Sequence, residues 1–178
     1  EFFVNGVSQG TVSNSTNMNS SQPIAIGSGR YTTSNSTPTH PVNGYIRDFR
    51  VLTSALYTSN FTPPDAPLTA ITNTKFLLGN LPYLKDQSTS NHAITPNGNV
   101  SLKPKSVYDN APYSEADHGA SVHFGEANGN AIIIPTTAAT TTGDYTIEFW
   151  IRYNTNKSGA QTLTGVYGQH RIIYSYFS

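Results

Sequence analysis

Four acidic residues are the candidates for hydrolytic chemistry in this chain: Glu115 with Asp117, and Asp144 with Glu148. A glycoside hydrolase holds two carboxyl groups about 5–5.5 Å apart to retain configuration, or about 6.5–9.5 Å apart to invert it. Two carboxylates alternating on one strand face would supply that geometry. Glu115 and Asp117 fall in a predicted loop, and Asp144 stands only at the start of a predicted strand. We therefore predict that the protein is not an enzyme.

Histidine and cysteine usage bears on metal and thiol chemistry. The five histidines share no spacing that would place ligands around zinc: His40, His92, His118, His123 and His170. The chain has no cysteine, so it has neither a thiolate nucleophile nor a disulfide framework. The sequence predicts no zinc site.

Trp150 is the single tryptophan and the best candidate for ligand binding. The period-two alternation of a strand places it on one face with Glu148 and Thr146. The apolar residues occupy the opposite face, which we predict to be the core: Tyr145, Ile147, Phe149 and Ile151. An aromatic ring beside a carboxylate and a hydroxyl can bind a sugar, so we predict carbohydrate binding at this concave face. The alternative is that Trp150 fills a second core layer under a loop.

Charge excludes two classes of partner. Ten basic residues balance ten acidic ones, and only 11% of residues are charged. No long-range field would attract nucleic acid or an anionic membrane. No apolar run approaches the ~20 residues that span a bilayer. We predict no nucleic-acid binding and no membrane insertion.

The elements that position these residues are strands. Low charge, with 11 tyrosines and 8 phenylalanines, favours strands joined by polar turns and predicts an all-β fold. Asn5-Gly6 between apolar residues predicts a type I′ hairpin turn. Residues 44–52 alternate and predict a strand whose one face carries Tyr45, Arg47, Phe49 and Val51. Further predicted strands cover residues 24–26, 75–78, 122–124, 131–134, 145–153, 162–167 and 171–177.

A proline-rich segment divides the chain. Pro63, Pro64 and Pro67 lie between Asn60 and Thr69, and their fixed φ and missing donors prevent both a helix and a central strand. The segment is the best candidate for a linker between two domains. If so, few contacts should join residues 1–58 to residues 110–178.

Three segments together resemble the laminin-G-like (pentraxin, concanavalin A-like) family: EFFVNG at residues 1–6, GYIRDFRV at 44–51 and DYTIEFWI at 144–151. The resemblance implies an antiparallel jelly-roll β-sandwich. The family has the third motif near its beginning and the other two near its end, in the reverse of the order here. Residues 1–70 would therefore be the C-terminal half of one sandwich, and residues 71–178 the N-terminal part of the next. The alternative is one permuted sandwich whose two parts complete each other.

The strings ALYTSNFTPP (residues 55–64) and PLTAITNTK (67–75) are similar to junctions between tandem laminin-G-like repeats in structural proteins of marine phages, especially cyanophages. That resemblance implies a non-enzymatic adhesion module of an extracellular virion fibre or tail protein. Its partners would be host-surface polysaccharides or neighbouring virion subunits, with flanking repeats or further copies of the chain completing the assembly. The alternatives are a secreted or surface-bound bacterial lectin or adhesin, and a polysaccharide-cleaving enzyme of the same fold.

The same resemblance implies a calcium ion as the one cofactor to consider, because laminin-G-like domains often bind Ca²⁺ through oxygen ligands. Asp48 is the candidate ligand. Gly125 followed by Glu126 stands where family members often show an aspartate, a departure that weakens the case for calcium. The alternative is that Asp48 pairs with Arg47, Arg50 or a backbone donor.

Overall fold

The computed structural model describes residues 1–11, 23–29, 37–79, 81–104, 119–135, 137, 143–154, 159–166 and 170–177. These ranges form strands and no α-helix, so the predicted all-β class is confirmed. The strands are β1 (Phe2–Val4), β2 (Val7–Gly10), β3 (Ile24–Ile26), β4 (Gly44–Leu52), β5 (Thr74–Leu78), β6 (Thr95–Asn97), β7 (Ser101–Lys103), β8 (Ser121–Phe124), β9 (Ala131–Ile134), β10 (Thr146–Tyr153), β11 (Gly159–Val166) and β12 (His170–Phe177).

Two five-stranded antiparallel sheets account for ten of these strands. Sheet one has the order β10-β4-β8-β7, and β5 also pairs with β4. β10 follows the whole of β4 along one edge, while β8 and β5 pair with its beginning and its end. Sheet two has the order β12-β11-β3-β9-β6. The pair β1-β2 stands apart as a hairpin.

Among the described residues, one hydrophobic core joins the two sheets, in an arrangement consistent with a β-sandwich. Its buried members come from both parts of the chain: Ile24, Ile26, Val42, Ile46, Phe49, Val51, Phe76, Leu78, Val122, Phe124, Ile132 and Ile134. The inward face of β10 packs against this cluster through Ile147, Phe149 and Ile151, as the alternation predicts. The prediction that Tyr145 shares this core face is wrong, because Tyr145 lies before the strand and is 38% exposed.

Residues 1–70 and 71–178 complete each other within this chain. β3 pairs with β9 and β11, and β4 pairs with β5, β8 and β10. Every described sheet partner of β3 and β4 therefore comes from beyond residue 70. The prediction of few contacts between residues 1–58 and 110–178 is wrong, because β3 and β4 pair with β8, β9, β10 and β11. If residues 1–58 and 110–178 belonged to separate sandwiches, these strand pairs would not form.

The predicted hairpin turn is confirmed. Asn5 and Gly6 both have positive φ, 49° and 76°, which is the type I′ geometry. A Cβ on Gly6 would lie 1.9 Å from the carbonyl oxygen of Phe61, so only glycine fits this contact. The Phe61 N–H donates to the Gly6 carbonyl at 2.9 Å. The turn therefore docks the hairpin onto a later part of the chain.

A β-bulge in β4 corrects the predicted alternation. Glu148 lies opposite Arg50 and Trp150 opposite Arg47, so Phe149 alone faces both Asp48 and Phe49. Asp48 has a φ of 53°, the left-handed conformation that aspartate tolerates better than most residues. The extra residue reverses the faces downstream.

As a result, the inward residues of β4 are Ile46, Phe49 and Val51. Tyr45, Arg47 and Arg50 lie on the outer face of sheet one. The prediction that Tyr45, Arg47, Phe49 and Val51 share one face is wrong for this reason.

Residues 53–73 form a strap across the outer face of sheet one instead of a linker. The Leu68 N–H donates to Asp48 at 3.1 Å, and Arg50 donates to the Thr69 carbonyl at 2.7 Å. Leu68 itself is buried. Proline excludes this segment from a central strand, as predicted, but an extended proline-rich chain can still pack on a sheet.

A shared core predicts one cooperative unfolding transition for the whole chain. We expect Phe49→Ala and Ile134→Ala to affect that same transition, each lowering the free energy of unfolding by about 2–5 kcal/mol, because each empties volume in the common core. Phe2→Ala is the control, since Phe2 is 49% exposed and should shift stability by less than about 0.5 kcal/mol. Two separate transitions in calorimetry, with one variant affecting only one of them, would contradict the shared core.

Candidate functional site

The three predicted sugar-binding residues do share one face. Thr146, Glu148 and Trp150 pair across the sheet with Leu52, Arg50 and Arg47, respectively, on the side of sheet one that faces away from the core. Trp150 is half-buried there. The strap covers this face over the second half of β4, which leaves the three residues in different surroundings.

Glu148 belongs to a charged network beneath the strap. Its Oε1 accepts from Arg50 Nε at 2.7 Å, and its Oε2 accepts from the Tyr57 hydroxyl at 2.9 Å. Arg50 and Glu148 have side-chain exposures of 6% and 15%, so solvent screens the ion pair only weakly. Glu148 therefore holds the strap directly through Tyr57 and indirectly through Arg50, which donates to the Thr69 carbonyl.

Thr146 anchors the beginning of the strap in the same way. Its hydroxyl donates to the Ser54 carbonyl at 2.8 Å and accepts from the Leu56 N–H at 2.9 Å. The sequence alone does not show these contacts, because they join residues about ninety positions apart. Thr146 and Glu148 are therefore engaged by the chain itself at the predicted sugar site.

Asp48 is fully buried, and donors from this chain occupy both its oxygens. Oδ2 accepts from Arg47 Nε at 2.7 Å, and Oδ1 accepts from the Leu68 N–H. Neither Asp48 nor Arg47 has an exposed side-chain surface. Pairing with Arg47 and a backbone donor, the alternative to calcium, is what the structure shows. Across the part of the chain that the structure describes, no three acidic or histidine side chains gather into a metal site.

Tyr57 links the strap to Glu148 and has a perturbed acidity. Burial, together with the adjacent Glu148 carboxylate that accepts its hydrogen bond, raises the pKa of Tyr57 to about 12, while Arg50 opposes the shift. The ring also stacks on Phe61 with 3.6 Å between centroids and meets Phe3 edge-on at 6.4 Å. Tyr57 therefore joins the hairpin, the strap and sheet one.

Asp86 is a buried carboxylate that the sequence analysis missed. Its Oδ1 accepts from the N–H groups of Leu77 and Ser88, and its Oδ2 accepts from the Ser88 hydroxyl and the His92 N–H, all at 2.8–3.0 Å. The order Asp-Gln-Ser is the local signal, because aspartate side chains commonly bond the backbone two residues on. Asp86 holds the loop after β5 in place and is fully committed to that role.

Beyond the strap, the outer face of sheet one carries a different set of side chains, which we call the open face. Strand register places Arg152 beside Tyr45, Tyr45 beside His123 and His123 beside Ser101. This row crosses all four strands from β10 to β7. With two further outward residues, the open face consists of Ser101, Lys103, His123, Tyr45, Trp150 and Arg152.

The centre of the open face is a pair of rings. Tyr45 and His123 are half-buried, with ring centroids 4.9 Å apart and planes tilted by 47°. Burial, and secondarily the charge of Lys103, lowers the pKa of His123, which favours the neutral ring. Its Nε2 lies 3.3 Å from Asn154 Nδ2. Sequence reasoning missed the pair because Tyr45 and His123 meet only through the register of β4 with β8.

No protein-family model, curated protein or solved structure matches this chain. Among the described residues, there is no helix long and apolar enough to cross a membrane.

The Asp48–Arg47 pair yields a stability prediction. Asp48→Asn keeps a residue type that tolerates positive φ but removes the charge, leaving buried Arg47 uncompensated. We expect it to lower the free energy of unfolding by about 3–5 kcal/mol. Asp65→Asn, at an exposed position of the strap, is the matched control and should have little effect. Equal urea midpoints for Asp48→Asn and the unchanged protein would contradict the role of the pair.

The acidity of Tyr57 yields a prediction at alkaline pH. A pKa raised from 10.0 to about 12 by folding means that its stabilising contribution is complete below pH 10 and is lost as the pH rises toward 12. Urea unfolding at several pH values should show a steeper alkaline loss in the unchanged protein than in Tyr57→Phe. Tyr83→Phe, at a 54% exposed position, should retain the steep loss. Parallel profiles for the unchanged protein and Tyr57→Phe would refute the prediction.

Proposed function

We propose that this chain is a non-enzymatic adhesion module of a phage virion fibre or tail protein, displayed on the virion surface, where it binds host-surface glycans. The observation that carries the proposal is the open face, on which the Tyr45–His123 ring pair and Trp150 lie half-buried among polar groups. Rings of this kind provide flat apolar area for a sugar, and neighbouring polar groups orient it.

The acidic residues support binding without hydrolysis. Catalysis by a glycosidase requires one carboxyl group to donate a proton and a second to act as nucleophile or base. Asp48, Asp86 and Glu148 are each held by hydrogen bonds within the chain. Glu115 and Asp117 lie outside the described residues, and Asp144 is exposed before β10. None of the described carboxylates forms a suitably placed pair on the open face.

The laminin-G-like and jelly-roll assignments belong to the same proposal. Residues 1–70 and 71–178 contribute to one hydrophobic core, which supports a single permuted sandwich over two partial repeats in tandem. Flanking sandwiches or further copies of the chain would repeat the open face at regular intervals. Repetition would raise avidity for a polymeric host glycan.

The proposal predicts binding to host-envelope polysaccharides without their cleavage. On an array of such glycans, we expect saturable binding that falls about tenfold in His123→Ala, because the ring pair is lost. Tyr83→Ala, which removes an exposed ring elsewhere, is the matched control. A reducing-end assay on the bound glycans should detect no new ends.

Two results would overturn the proposal. Binding to no host polysaccharide, or binding that His123→Ala leaves unchanged, would exclude the open face as a glycan site. Hydrolysis that Glu148→Gln abolishes would show an enzyme.

A further inference from the structure

We propose that the open face contains a pH switch, in which protonation of His123 breaks a chain of hydrogen bonds that runs from its ring through Asn154 and Asn43 to Glu126. We call these four residues the amide relay. Because the relay lies within the chain, its chemistry does not depend on the proposed glycan binding.

The relay lies at one end of sheet one, where antiparallel pairing brings three strand ends together. Asn43 precedes β4 and Asn154 follows β10. His123 lies within β8, and Glu126 lies just beyond that strand. The backbone N–H of Asn154 donates to the Asn43 carbonyl at 3.0 Å, and this bond holds the two amide side chains next to each other.

Glu126 fixes the direction of every hydrogen bond in the relay. Asn43 Nδ2 donates to Glu126 Oε1 at 2.5 Å, and an ionised carboxylate only accepts. Asn43 therefore presents its Oδ1 to Asn154, whose Nδ2 donates to it at 3.2 Å. The same Nδ2 lies 3.3 Å from His123 Nε2. Because an amide nitrogen donates and does not accept, Nε2 must be unprotonated, and the neutral ring carries its proton on Nδ1.

Protonation of His123 places two donors against each other. A charged ring carries N–H on both nitrogens, so its Nε2–H would face the Asn154 amide N–H. Turning the Asn154 amide over would present its Oδ1 to the ring, but the same oxygen would then meet Asn43 Oδ1. Turning the Asn43 amide over as well would place its Oδ1 against the Glu126 carboxylate. At least one contact of the relay is therefore lost when the ring is charged.

The charged and titratable groups around His123 set the direction of the pH dependence. Tyr45 of β4 lies beside its ring, and Arg152 of β10 lies beyond Tyr45 in the strand register. Lys103 lies on the neighbouring strand β7, and Glu126 ends the relay. Burial, and secondarily the charge of Lys103, lowers the pKa of His123 from its ordinary value of 6.5. The unfolded chain therefore takes up this proton first, so stability that is complete above pH 6.5 is lost as the pH falls from 6.5 toward the lowered pKa.

NMR titration of the isotopically labelled full chain tests the relay. We expect the neutral His123 ring to carry its proton on Nδ1. The side-chain amide signals of Asn154 and Asn43 should change with the same midpoint as the ring, because the relay breaks when the ring is charged. His123→Gln identifies the signals of this ring among the five histidines, and thermal unfolding verifies that each variant is folded.

Glu126→Gln separates the relay from simple electrostatics. A glutamine amide donates as well as accepts, so each amide of the relay can turn over and present Asn154 Oδ1 to a protonated ring. We expect the pKa of His123 to rise, with the ratio of charged to neutral ring at a fixed pH increasing about fivefold. A carboxylate that acted only through its charge would favour the protonated ring, so its removal would lower this pKa instead. Asp65→Asn removes a carboxylate at an exposed position of the strap and should leave the pKa of His123 unchanged.

Three results would overturn the switch. A neutral His123 ring with its proton on Nε2 would contradict the direction of the relay. Amide signals of Asn154 that do not follow the titration of the ring would show that the two groups are not coupled. A pKa of His123 that falls or stays the same in Glu126→Gln would show that Glu126 does not fix the state of the ring. Each result would count against the switch whether or not the open face binds glycans.

Discussion

The buried Asp48 carboxylate is the interaction on which the architecture of sheet one depends. It lies in β4, which pairs with β10, β5 and β8, and it accepts from Arg47 and from the Leu68 N–H. A buried ion pair gains little net stability over apolar residues of the same shape, but losing one partner is costly. The main effect of the Asp48–Arg47 pair is therefore structural specificity. It favours one arrangement, in which β4 bulges at Asp48 and the strap is hydrogen-bonded to that residue.

That arrangement decides which residues reach each face. Because the bulge inserts one residue, Ile46 and Phe49 both enter the core, although strict alternation would separate them. Arg47 and Arg50 are both directed outward, where Asp48 and Glu148 neutralise them. The strap then covers this charged half of the outer face. Among the described outward side chains of β4, Tyr45 lies at the other end of the strand and is half-buried.

The sequence predicts individual turns and strands better than it predicts how the strands pair and pack. The type I′ turn, β4 and the inward face of β10 follow from local patterns with a direct physical cause. The bulge does not, because an aspartate next to Arg47 and two residues before Arg50 resembles an ordinary surface residue until its burial is known. The short strands β6 and β7 are not predicted from the sequence either. Each has only three residues, and β6 contains Pro96, so neither shows a periodic pattern.

At the candidate site, too, the local pattern is predicted but the long-range contacts are not. Alternation correctly groups Thr146, Glu148 and Trp150, yet the strap that engages two of them comes from a segment whose prolines indicate a linker.

The strap and the open face differ in what they leave accessible to a ligand. Beneath the strap, charges are buried and paired, so they fix geometry but are not available to a ligand without unfolding that region. On the open face, the rings of Tyr45 and His123 are only half-buried. In the proposed glycan binding, affinity would come from these rings. Weak recognition at one face is sufficient where many copies act together, which is the setting that an adhesion fibre provides.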